Sequence, residues 1–180
     1  MILAAPRRVM LVSTVLGLCL FGDTLLYAAL PANVSSFGVG TAAVWLLLSA
    51  NRLIRPLTNS IAASVYSRVG VRTPMAVAVA GAVVSTAAYG LATGIWPLLV
   101  ARILWGTCFS FLRLGGLLTV LDASTDHNRA RLMGMFYTIW GSGSLVGVAL
   151  GGLLVDLVGI RWTFVSFATL SAIGVLPALG

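Results

Sequence analysis

Five charged side chains interrupt the long apolar runs of this 180-residue chain: Asp23, Arg52, Arg55, Arg102 and Arg113. A charge at the centre of a bilayer costs roughly 2.5–3.5 kcal/mol on insertion scales, so such residues face a cavity and take a partner. Asp23 is the only acid within an apolar run, and Tyr27 follows it by one helical turn. A neighbouring cation favours the ionised carboxylate, whereas burial favours the neutral acid. The chemistry on offer is thus charge pairing, proton relay and the holding of an anion. The apolar runs contain no Glu and no His, so they lack the acid–base or nucleophile set that an enzyme requires. His127 lies in a polar loop with no Cys, Glu or second His beside it, which leaves no metal-ligand spacing. No enzyme activity, metal or cofactor is expected. Cys19 and Cys108 fall in apolar segments and read as small buried hydrophobes.

The elements that must position these residues follow from composition. The chain is 59% hydrophobic and 8% charged, with a mean hydropathy of +1.06. Soluble domains carry about 25% charged residues, so the solvent of this chain is lipid. Its basic residues are eleven arginines and no lysine; its acids are four aspartates. The net charge of +7 is scattered between apolar runs rather than gathered into a patch, which argues against nucleic acid as a partner. A membrane helix needs about 20 mainly apolar residues. Six such spans are predicted: Val9–Leu30, Gly38–Tyr66, Pro74–Ala92, Trp96–Leu121, Leu132–Val155 and Trp162–Leu179. The short connections favour one compact bundle over residues 1–180. "PRR" and "YAALPA" resemble parts of a secretory signal, but five further spans favour a retained first helix. Arg7, Arg8, Arg68, Arg72, Arg129 and Arg131 flank the spans on one side, and Arg161 alone lies on the other. By the positive-inside rule the N-terminus is cytoplasmic, and a multi-pass protein of a bacterial inner (plasma) membrane is expected.

Two loops nearly coincide: "RVGVR", ending at Arg72, and "LVGIR", ending at Arg161, which is 89 residues later (161 − 72). The same offset lays the first three spans on the last three, about 9–92 on about 96–180, and Cys19 on Cys108. Three spans separate the copies, so they cross the membrane in opposite senses. That is the inverted repeat of secondary transporters. The expected fold is an all-α polytopic membrane helix bundle, six transmembrane helices arranged as two inverted three-helix repeats.

Three motifs carry a family resemblance. "ASVYSRVGVR" resembles the loop motif G-x-x-x-D-R-x-G-R-R/K of the major facilitator superfamily through Arg68, Gly70 and Arg72, with Ala63 and Ser67 replacing its first glycine and its aspartate. The repeat copy keeps Gly152, Asp156, Gly159 and Arg161. "RILWG" is similar to R-x-x-Q-G, with Trp105 for the glutamine. "GSLVGVALGG" is similar to the antiporter motif G-x-x-x-G-P-x-x-G-G, with Val148 for the proline. The resemblance covers nearly the whole chain and implies the N-terminal six-helix half of a transporter: a small-molecule substrate near midplane, alternating access, and often proton coupling, including antiport. Family members usually have twelve spans, so a truncated half, or a half that pairs with a second one, is expected. A non-transporting membrane scaffold is the alternative.

Gly143, Gly147 and Gly151 fall at i, i+4 and i+8 on one flat face, with Gly152 beside them, where another backbone can approach or the halves of a transporter can rock. In the fourth span Arg102, Gly106, Phe109 and Arg113 share a face; in the second, Arg52, Arg55 and Asn59 do. Asp23 and Arg52 each lie about 21 Å from the same end of their spans at 1.5 Å per residue. Consecutive helices are usually neighbours, so these two are expected to pair, either as a fixed strut or as a pair that exchanges during transport. Arg55 is expected below them, with Pro56 allowing a bend; the competing expectation is that the span ends near Ile54 and its arginines snorkel. Four arginines against one aspartate make the cavity electropositive, so Asp23, Tyr27, Arg52, Arg55, Arg102 and Arg113 are read as the lining for a substrate that is anionic.

Overall fold

The computed structural model describes residues 5–179, with side chains as far as Ile173. Seven α-helices and no strand occur among them: α1 (Ala5–Ala32), α2 (Thr41–Leu53), α3 (Arg55–Val69), α4 (Arg72–Leu91), α5 (Ile95–Ala123), α6 (Arg129–Val158) and α7 (Ile160–Leu179). α1, α4, α5 and α6 are each long and apolar enough to cross a membrane. α2 and α3 run end to end as one crossing, and α7 completes an all-α membrane bundle of six. Most helices overrun their predicted apolar limits by a few residues, because polar flanks such as Arg72 and Arg129 continue the helical ladder beyond the lipid-facing stretch.

The second span is the exception. It begins at Thr41 rather than Gly38, since Gly38 sits at φ +64° in the turn that follows α1. It is also interrupted. Pro56 has no N–H to give to the preceding turn, and it stands in the first turn of α3, where that loss is tolerated. Ile54 bridges the two helices, donating to Ala50 O at 3.2 Å and accepting from Thr58 N at 3.1 Å. The helical ladder is thus interrupted without the span ending.

Two ends of the bundle are fixed by contacts between loops. Gly94 N–H bonds Phe37 O at 2.8 Å, and the Phe37 ring meets Phe164 at 6.3 Å. The α1–α2 loop, the α4–α5 loop and the start of α7 therefore share one end. At the other, Tyr66 OH donates to Phe111 O at 2.7 Å beside Gly115 and Met75. Helices therefore alternate in direction, and Arg68 and Arg72 lie at the end opposite Arg161.

Packing is set by where backbones approach. A Cβ on Gly143 would fall 2.5 Å from Gly17 Cα, and one on Gly147 would fall 2.8 Å from Phe21 Cα. Only glycine lets α6 lie this close to α1. The glycine face is thus used up inside the chain, against α1, and Gly152 lies off it with nothing within 4 Å. Gly143, Gly147 and Gly151 are not a surface presented to a second half. The 89-residue offset reproduces this crossing in the other helices. Gly17 maps onto Gly106, and Gly143 onto Ile54; a Cβ on Gly106 would fall 2.6 Å from Ile54 Cγ2. Phe21 maps onto Ser110, and Gly147 onto Thr58; the Thr58 and Ser110 hydroxyls are 2.8 Å apart. The turns match as well: Gly70 (φ +80°) and Gly159 (φ +82°) close α3 and α6 with bonds to Tyr66 O and Val155 O. Both are left-handed conformations that favour glycine.

Gly143→Leu is expected to force α1 and α6 apart and to lower stability by about 1–3 kcal/mol, the usual cost of overpacking. Gly152→Leu is expected to leave the unfolding temperature in detergent unchanged. Equal effects of the two substitutions would contradict the crossing described.

Candidate functional site

Asp23 projects from the middle of α1 into the bundle and is 5% exposed. Its carboxylate accepts from Arg102 Nη1 on α5, in an ion pair whose arginine is 0% exposed. Asn51 Nδ2, on α2, donates to the same oxygen at 3.3 Å. Each of the three guanidinium nitrogens has at least one acceptor. Nε donates to Leu47 O at 3.0 Å, Nη1 to Tyr89 Oη at 3.4 Å, and Nη2 to Leu48 O at 3.5 Å. A buried charge is tolerated only when paired and hydrogen-bonded, and here one guanidinium draws partners from α1, α2 and α4. Tyr27 Oη completes the shell, sharing its hydrogen between Leu48 O at 3.1 Å and Asn51 Oδ1 at 3.0 Å.

Asp23 and Arg52 do not form the expected pair; the ion-pair partner of Asp23 is Arg102. The reason lies in topology. α1 approaches α2 closely at few points, through Asp23 and Tyr27, while it packs more extensively on α6, α7 and α5. Sequence neighbours are here not the main spatial neighbours, and Arg102 reaches Asp23 from a helix 79 residues away in the chain. The Arg52 guanidinium instead lies 5.3 Å from the centre of the Tyr27 ring. Arg55 does not snorkel: it turns inward and stacks 4.0 Å from the centre of the Phe109 ring. Arg113 is exposed and stands apart from the others. Arg68, Gly70 and Arg72 form the turn between α3 and α4. Ser67, in the place of the motif's aspartate, donates to Ser64 O at 2.8 Å.

An open cleft of about 640 Å³ lies over the buried pair. Asp23 and Tyr27 form one wall, Arg52 and Arg55 a second, Phe109 a third, and Tyr137, Trp140 and Ser144 of α6 a fourth. Of the six expected lining residues, four border this space. Arg102 lies behind Asp23, sealed from it, and Arg113 is outside it. Asn51 and Tyr89 are part of the network without having been expected there. Asn51 carried a signal, being a polar residue in an apolar run. A single tyrosine in the predicted span Pro74–Ala92 carried none. The arrangement holds one carboxylate at the floor of a cleft, already neutralised from behind, and presents two further cations on the wall.

A profile of the Major Facilitator Superfamily matches residues 12–179. Among curated relatives, an uncharacterised MFS-type transporter of Mycobacterium tuberculosis is 27% identical over 156 residues, which is 87% of this chain and 27% of that protein. A multidrug transporter of Bacillus subtilis is 26% identical over 148 residues, 78% of this chain and 26% of its own length. A probable vesicular acetylcholine transporter of Danio rerio is 27% identical over 126 residues, 69% of this chain and 26% of its own length. The chain thus spans about a quarter of the length of these relatives.

Asp23→Ala leaves the Arg102 charge buried without its partner and is expected to cost about 3–5 kcal/mol. Asp23→Ala combined with Arg102→Leu removes both charges and is expected to recover most of that loss. Thermal unfolding in detergent measures both. A double variant no more stable than the single would contradict the pairing.

Proposed function

The chain belongs to the Major Facilitator Superfamily, and on that premise we propose that it forms six helices of a secondary active transporter that carries a small organic anion by alternating access, with Asp23 as the proton-coupling group. The observation that carries this reading is the ion pair beneath the cleft. Asp23 meets the cleft on one side and Arg102 on the other, so a proton that arrives from the cleft competes with the guanidinium for the same carboxylate, and a substrate anion held by Arg52 and Arg55 places further negative charge beside it. Protonation of Asp23 would free Arg102 from its strongest partner, and every helix that Arg102 touches would feel the change. A buried pair held between α1, α2, α4 and α5 is thus a two-state element that substrate and proton can both bias, as coupling requires.

Charge supports the substrate class. The names of two relatives refer to acetylcholine and to multiple drugs. In this cleft Asp23 is already compensated, and Arg52 and Arg55 remain without a carboxylate, which disfavours a cation. The arginine-bearing ends Arg68, Arg72, Arg129 and Arg131 support a cytoplasmic N-terminus in a plasma membrane. A second six-helix unit of the complete protein would supply the opposite wall of the pathway, and lipid the remaining surround.

The test is transport by the complete gene product in vesicles. An imposed pH gradient is expected to drive accumulation of organic anions from a labelled panel. Asp23→Asn is expected to abolish that accumulation while retaining anion exchange in the absence of a gradient, which also shows that the variant is folded. Gradient-driven accumulation of the same size in Asp23→Asn would remove Asp23 from coupling. Accumulation of cations alone would overturn the substrate class.

A further inference from the structure

Within the cleft, Arg55 and Trp140 stand out because each holds a donor with no acceptor. Arg55 Nε and Trp140 Nε1 are buried atoms that make no hydrogen bond among the described residues. An unmade bond of this kind costs roughly 1–3 kcal/mol, so both groups select for a ligand that brings an acceptor. Their surroundings define the rest of that ligand. Phe109 touches both, with the Arg55 guanidinium 4.0 Å from its ring centre and the Trp140 ring 6.0 Å away. Tyr137 continues the surface, its ring centre 5.6 Å from that of Trp140. All four residues line the cleft.

The stacking of Arg55 has a consequence for recognition. A guanidinium that lies over a ring engages its partner through its face and keeps its in-plane N–H groups for an oxyanion, which a flexible ammonium cannot do. The aromatic run beside it accepts a flat apolar body at ordinary stacking separations. We propose that Arg55, Phe109, Trp140 and Tyr137 form a subsite for a planar aromatic anion, its acidic group held by Arg55, which Phe109 backs, and its ring laid on Trp140 and Tyr137. This rests on the anion-transporter reading above and narrows the substrate to aromatic or similarly flat carboxylates and sulfonates. Arg52, held 5.3 Å from the Tyr27 ring on the opposite flank, adds to the positive field.

The experiment measures binding to the complete gene product in detergent by ligand-induced thermal stabilisation. Four probes separate charge from shape: 2-naphthoate, the neutral 2-naphthylmethanol, the cation 2-naphthylmethylammonium and the aliphatic anion hexanoate. 2-Naphthoate is expected to bind about tenfold or more tightly than each of the other three. Arg55→Gln is expected to weaken 2-naphthoate by a similar factor, and Arg55→Lys to restore only part of the loss. Trp140→Leu is expected to weaken 2-naphthoate by a larger factor than hexanoate. Equal binding of the neutral or cationic probe, or unchanged 2-naphthoate binding in a folded Arg55→Gln, would overturn the subsite. The four probes on the unsubstituted protein decide the matter even if a variant does not fold. Failure here and failure of the transport reading are separable. Tight 2-naphthoate binding with no vesicle transport overturns transport and keeps the site. Anion transport that survives Arg55→Gln undiminished overturns the site and keeps transport.

Discussion

Everything near the centre of this bundle is arranged around one fully buried guanidinium. Arg102 has no exposed surface and is met by a carboxylate, two backbone carbonyls and a tyrosine hydroxyl. A charge in that position cannot be left half satisfied, because the surrounding medium offers no water to complete its shell. It therefore dictates where Asp23 points, why Leu47 and Leu48 of α2 must lie against α5, and why Asn51 of α2 faces Asp23 of α1. Such a pair is weak evidence for stability in itself, since well-packed apolar residues often do as well. Its effect is to tie the relative placement of four helices to one carboxylate–guanidinium contact.

That dependence needs helices that pack closely and in a defined register, and small residues provide it. Gly17 against Gly143, and Gly106 against Asn51 and Ile54, are close approaches of this kind, and they are the same crossing repeated at an offset of 89 residues. The two copies differ where function enters. In the second copy the crossing helix, α6, is continuous and glycine-faced. In the first, the equivalent position is Ile54, where the helix is interrupted ahead of Pro56. The interruption falls between Arg52 and Arg55, and the two guanidinium groups meet different rings, one Tyr27 and one Phe109.

The cleft that results has an uneven charge balance. Its only carboxylate is compensated from behind by a residue that does not line it, so the arginines that do line it keep their full field. In a low-dielectric setting that field is weakly screened, and the aromatic rings beneath Arg52 and Arg55 hold the cations in place without neutralising them. The same rings give the cleft its apolar surface, so charge selection and shape selection come from one set of contacts.

Much of this was legible in the residues. Hydropathy and span length determined the membrane bundle, arginine placement the alternation of its ends, and the "RVGVR" and "LVGIR" loops the internal repeat, because each depends on local composition or on period. That a buried Asp23 takes a cationic partner followed from the cost of burying charge. The identity of the partners did not follow. Asp23 and Arg52 match in depth and lie on consecutive spans, and only the packing of α1 along α5, α6 and α7 gives the carboxylate to Arg102 instead. Depth along a helix can be counted from the sequence, but the direction a side chain faces is set by which helices enclose it. For the same reason the glycine face of α6 was readable as a contact surface, yet its partner, α1, was decided by the tertiary fold alone.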